Sequence, residues 1–147
     1  MISVSVLHIL LAEKQVWHHL VVKRPVKTSV LSRFAHSAFT IGTKLYLFGG
    51  YSQKSEKYLN DLCLIDLTSI SEDEHDLSMS RHSSFSETGE IENDNLLVCE
   101  EVKCDGDQPS ARAAFSACVY AQNQLWIFGG NNKFEFFNDM FKFDFAT

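Results

Sequence analysis

The sequence predicts an all-β chain built from repeated, four-stranded antiparallel units. Three observations lead there. Four of the seven Gly fall in two pairs, Gly49-Gly50 and Gly129-Gly130, and each pair directly follows four consecutive apolar residues, in KLYLF and QLWIF. Each Gly pair is followed by an Asn-Asp pair, Asn60-Asp61 and Asn138-Asp139, and each Asn-Asp leads into a short apolar run that closes on Asp66 or Asp144. Residues 33–66 and 112–144 therefore align as two copies of one unit, and self-similarity at this scale is the mark of a repeat architecture.

The two copies justify their elements one by one. Residues 34–41 and 113–120 open the units as strands of mostly small or apolar residues. A polar turn follows, and it carries the single difference in length: Arg33 to Gly49 is 16 residues, Arg112 to Gly129 is 17. Turns are where repeats tolerate such changes. Residues 44–49 and 124–129 form the second strands, whose unbroken apolar runs suit burial on both faces. The Gly pair at their end permits positive φ and a close approach of neighbouring backbone. The Asn-Asp pairs offer side-chain acceptors to loop N–H groups. Third strands lie at 61–67 and 139–145, and a fourth strand at 96–102. Upstream, residues 3–9 and 16–22 read as two strands of an incomplete preceding unit. The apolar start, MISVSVLHILLA, has no basic leader and no small-residue cleavage site, so a strand is favoured there over a secretory signal.

Composition bounds the function. The chain has 147 residues, a net charge of −6 and 45% hydrophobic residues, as expected of a globular domain. Charge is uneven. Residues 69–107 carry twelve Asp/Glu against Arg81 and Lys103, while the remainder has eleven Lys/Arg against seven Asp/Glu. Phosphate contacts need cations, so no nucleic-acid partner is expected. No apolar run approaches the length of a membrane span, so no membrane partner is expected either. Cys63, Cys99, Cys104 and Cys118 form no C-x-x-C pair, and the six His complete no ligand set. No metal and no cofactor are expected, and thiols inside apolar runs suit a reducing compartment.

The order Arg, strand, turn, strand, Gly-Gly, loop, Asn-Asp, strand, Asp resembles the kelch motif. The spacing Gly106, Pro109, Arg112 fits the family's lead into a repeat, and Trp17 matches the Trp of its last strand. The resemblance implies blades of a β-propeller. Residues 1–22 would be the last strands of a preceding blade. Residues 33–102 would be one blade, interrupted by a disordered, Ser-rich acidic insertion at about 69–95. Residues 106–147 would supply three strands of a following blade. Kelch repeats recur about every 50 residues, but Gly49 and Gly129 stand 80 apart, and the insertion holds the surplus. The expected second Trp is replaced by Val98 or Cys99. Ser71 and Ser84 in the insertion have contexts that suit kinases, against the plainer reading of a solvated spacer.

Propellers close with about four to eight blades, so this chain alone forms an incomplete ring. Two apolar blade faces would then be exposed. Remaining blades of a longer protein, or self-association, would cover them.

The resemblance also implies roles. Trp17, Arg33, Gly49, Gly50, Asp61, Asp66, Arg112, Gly129, Gly130, Asp139 and Asp144 would build the blades. Function would lie on rim loops: Tyr51, Gln53, Lys54, Glu56 and Tyr58 in one, and Asn131, Asn132, Lys133, Phe134, Glu135 and Phe136 in the other. Aromatic residues flanked by charge suit a protein-binding rim. The expected function is a protein-interaction module with no catalytic residue, acting as the recognition part of a ubiquitin ligase or as a scaffold. The expected location is the cytoplasm, with the nucleus as the alternative. A copper enzyme resembling galactose oxidase is disfavoured, because His8, His18, His19, His36, His75 and His82 form no ligand set.

Overall fold

A computed structural model describes the backbone of residues 4–11 and 16–23, and both backbone and side chains of residues 32–68 and 97–145. Nine strands and no helix lie in these residues. The insertion at 69–95 with Ser71 and Ser84, and the side chain of Trp17, lie outside the described residues.

The first blade is a four-stranded antiparallel sheet. Its strands in chain order are β3 (Ser37–Ile41), β4 (Lys44–Ser52), β5 (Lys57–Asp66) and β6 (Leu97–Glu101). Gly42, at φ 56°, makes the tight turn that pairs Ile41 with Lys44. β4 breaks register between Phe48 and Gly50, then resumes its pairing with β5 through Tyr51↔Tyr58 and Ser52↔Lys57. Gly49, at φ 60°, is the bulged residue. The strands thus run on through much of what the sequence suggests is a loop at 51–58, and only residues 53–56 form the turn.

The second blade contributes β7 (Ser116–Tyr120), β8 (Gln124–Phe128) and β9 (Met140–Asp144), antiparallel in that order. The extra residue of this copy sits in the β7–β8 turn, where Ala121 and Gln122 take φ of 50° and 61°.

The upstream hairpin is β1 (Val4–Leu11) with β2 (Val16–Lys23). The sequence reading assigns it to a preceding blade. Here β2 lies parallel to β6 through Val22↔Leu97 and Lys23↔Val98, and so extends the sheet of the first blade at its edge. An edge strand presents backbone donors and acceptors that recruit another strand, which accounts for this placement.

The core lies between the blades. Tyr46, Phe48 and Leu62 of the first blade meet Leu125 and Ile127 of the second, with Phe39, Phe115 and Phe143 packed around them. Phe48 and Phe115 meet edge to face at 5.4 Å, and Phe145 closes on Tyr46 at 4.7 Å. Each large apolar side chain buried here stabilises the pair of blades by about 1.5–3 kcal/mol. The far face of the first blade is also buried, at Leu47, Cys63, Ile65, Leu97 and Cys99. That corrects the expectation of two exposed blade faces: among the described residues only the second blade shows one, at Cys118, Tyr120, Phe128 and Met140.

Candidate functional site

The rim is built by the repeat residues themselves. Arg33 is buried and donates to both carboxylate oxygens of Asp61, at 2.8 and 2.7 Å, and to the carbonyl of Gly49 at 2.9 Å. Arg112 repeats this with both oxygens of Asp139 and with the Gly129 carbonyl at 2.8 Å. Its guanidinium also lies 4.0 Å from the centre of the Phe137 ring. The Asp of each Asn-Asp pair thus accepts from a guanidinium, where the sequence suggests an acceptor for loop N–H groups. The planar fork of Arg matches a carboxylate and a carbonyl together, so one side chain ties a strand end to the Gly-Gly bend.

Electrostatics follow from this pairing. Burial alone would raise the Asp61 carboxyl, but the Arg33 hydrogen bonds and charge outweigh it and hold the group below the usual carboxylate range. The Arg112 hydrogen bond does the same for Asp139. A hydrogen bond with Cys99, burial and the nearby Asp61 charge push the Cys63 thiol far up. The closing Asp residues differ between copies: Asp66 accepts from the Thr68 backbone N–H at 2.8 Å, whereas Asp144 pairs with Lys142 at 2.7 Å.

The second Gly of each pair allows strand and lead-in segment to touch. A Cβ on Gly50 would stand 2.7 Å from the Phe34 carbonyl oxygen, and one on Gly130 would stand 2.8 Å from that of Ala113. Backbone bonds then link the blades: Gly50 N–H donates to Arg112 O at 2.8 Å, Arg112 N–H to Leu59 O at 3.0 Å, and Ala114 N–H to Ala35 O at 3.0 Å.

Above these links lies an open groove of about 730 Å³ between the blades. Phe34, Ala35, Tyr51, Glu56 and Tyr58 form one wall, and Ala113, Ala114, Asn131, Lys133 and Phe134 form the other. Six of the candidates read from sequence therefore line one groove: Tyr51, Glu56, Tyr58, Asn131, Lys133 and Phe134. Gln53, Lys54, Glu135 and Phe136 stand outside its lining, all exposed. Asn132 is structural in part, because its Oδ1 accepts from the backbone N–H of Phe134 at 2.8 Å and of Glu135 at 3.0 Å. Phe34, Ala35, Ala113 and Ala114 were not singled out by sequence reasoning. Their signal was position: they directly follow Arg33 and Arg112, where the two copies align.

The aromatic residues divide by strand. Tyr51 and Tyr58 face each other across paired strands, ring centres 4.9 Å apart, and Phe34 meets Tyr51 at 5.4 Å. Phe134 and Phe136 are 88% and 89% exposed. Among the described residues no group of His, Cys, Asp and Glu is arranged to hold a metal ion, and His36, on a lead-in segment, is the one His whose side chain is described.

The sequence matches known proteins. The KLHDC2/KLHL20/DRC7 Kelch-repeats domain family matches residues 3–147. The chain is similar to Kelch repeat-containing protein 2 of Saccharomyces cerevisiae, 31% identical over 128 residues, which is 84% of this chain and 12% of that protein. It is similar to Acyl-CoA-binding domain-containing protein 5 of Arabidopsis thaliana, 27% identical over 80% of this chain and 14% of that protein. It is also similar to the N-(sulfonatooxy)prop-2-enimidothioate sulfolyase of Thlaspi arvense, 28% identical over 76% of this chain and 24% of that protein. The chain thus spans a quarter or less of the length of these relatives. With matched Arg–Asp pairs, matched Gly-Gly bends and a family match over nearly its whole length, the chain belongs to the kelch-repeat family.

Proposed function

We propose that the chain is a protein-interaction module whose contact surface is the rim groove between the two blades. One observation carries the reading. The groove gathers exposed and half-buried aromatic side chains with Glu56 and Lys133 on opposite walls, on a frame of buried Arg side chains each paired with an Asp. Aromatic residues concentrate binding energy in protein interfaces, and rigid strands under them lower the ordering cost. Within that reading the module acts in substrate recognition or as a scaffold, and the proposed site of action is the cytoplasm, with the nucleus as alternative. A photo-crosslinker placed at position 134 in source cells should give a discrete protein adduct identifiable by mass spectrometry. Tyr58→Ala should reduce that adduct about tenfold, as expected from losing one aromatic anchor. An adduct formed instead from a crosslinker at position 120 moves the surface to the open blade face and overturns the reading.

One similarity favours a second reading, an enzyme: the relative named as a sulfolyase. That reading requires the purified chain to turn over a sulfonatooxy imidothioate. Partner binding without turnover supports the interaction module.

A further inference from the structure

Much of the backbone lining the rim groove is already committed. Phe34 and Tyr51 exchange N–H···O bonds at 3.0 and 2.9 Å, Ala113 and Asn131 do so at 2.9 Å each, and Ala114 N–H donates to Ala35 O. A partner strand that binds by adding to a sheet edge needs such groups open. What the groove offers instead is side-chain surface. The rings of Phe34, Tyr51 and Tyr58 succeed one another at 5.4 and 4.9 Å with interplanar angles of 57° and 70°. At these spacings the rings touch, so they form one continuous, ridged aromatic wall. Phe134 stands exposed on the facing wall, and Ala35, Ala113 and Ala114 add only methyl groups to the lining.

From this we infer that the groove recognises an extended, proline-containing peptide segment with an acidic residue at the end nearest Lys133. A polyproline II segment has no internal hydrogen bonds and asks none of a partner strand, and its rings pack against an aromatic wall at low entropic cost. Polarity comes from the walls. Lys133 makes no ion pair among the described residues and lies beside Phe134, its Nζ 5.9 Å from that ring centre. Glu56 on the opposite wall repels an acidic residue at the other end. The segment is therefore held in one direction across the blades.

This inference rests on the rim reading, and the experiment separates the two. A displayed library of random dodecapeptides is selected against the full chain, and selected peptides are resynthesised for affinity measurement. The expected ligands are enriched in Pro, with Asp or Glu toward one end. Replacing their Pro by Gly should weaken binding at least about tenfold, as should Tyr58→Ala in the protein. Lys133→Glu should shift the selected end residue from acidic to basic. Phe134→Ala, a change at a fully exposed ring, serves as the second variant if Tyr58→Ala unfolds, and Tyr120→Ala on the open blade face should change nothing. Peptides that depend on Tyr58 and Phe134 but lack Pro overturn the inference and leave the rim reading standing. Peptides indifferent to both rings, or no selected peptide from folded protein, overturn both.

Discussion

The two blades carry nearly the same second strand, and the structure treats them differently. KLYLF in β4 is buried at Tyr46, Leu47 and Phe48 in succession, so both faces of the sheet are covered. QLWIF in β8 is buried only at Leu125 and Ile127, while Trp126 is half-buried and Phe128 is 49% exposed. An unbroken apolar run states that a strand suits cover on both sides; whether the cover exists is settled by neighbours. The first blade has the second against one face and a closed far side. The second blade has the first against one face and open solvent on the other, so its strands alternate. Cys118, Trp126, Phe128 and Met140 on that open face form the apolar surface that a further blade, a second copy or a partner would bury.

The Arg–Asp pairs give the comparison its largest expected effect. Both guanidinium groups are fully buried, but Asp61 is 21% exposed and Asp139 is 39% exposed. Arg33→Ala strands a more buried carboxylate and should cost about 3–5 kcal/mol in urea unfolding. Arg112→Ala should cost less on the charge account, because solvent screens Asp139 better, although it also loses contact with Phe137. Equal losses at both sites would show that packing, not charge, sets the cost.

Next in size is the contrast between the second strands. Leu47→Ala, at a site 6% exposed, should lower unfolding free energy by about 2–5 kcal/mol, whereas Phe128→Ala should change it by less than about 1 kcal/mol. Equilibrium denaturation measures both. A large loss from Phe128→Ala would mean that the open face is covered in solution, and repeating the measurement across protein concentrations would reveal self-association.

The smallest effect is with pH. Both Asp61 and Asp139 have folded-state carboxyl pKa values below their ordinary range because of Arg33 and Arg112. A carboxyl lowered on folding contributes stability that is complete above the unfolded value of about 3.9 and is lost as pH falls through the folded value. The urea midpoint should therefore drop below about pH 4, and Arg33→Ala should make that drop shallower. An unchanged slope in the variant would remove Asp61 from the acid response.

Much of this was legible because repetition samples the same physics twice. Aligning residues 33–66 with 112–144 located the paired strands, the bends at Gly50 and Gly130, and the variable turn, which now holds Ala121 and Gln122 at positive φ. The Arg–Asp partnership was not legible. Arg33 and Asp61 stand 28 positions apart, and Arg112 and Asp139 stand 27 apart, with nothing local to join them. The extension of β4 and β5 past the bulge was also hidden, since YSQKSEKY has the polar look of a loop while its Tyr residues pair across strands. Six of the rim candidates line the groove from two short stretches of sequence, but Phe34 and Ala114 entered it only through the fold.

The sequence by itself determined the strands, their order in each blade and the glycine bends, because these depend on local φ preference and on apolar runs only a few residues long. The tertiary structure decided which apolar faces are closed, which carboxylate answers each buried Arg, and that residues from two blades share one groove. Those outcomes depend on contacts between segments far apart in the chain, where burial and pairing are properties of the neighbour as much as of the residue.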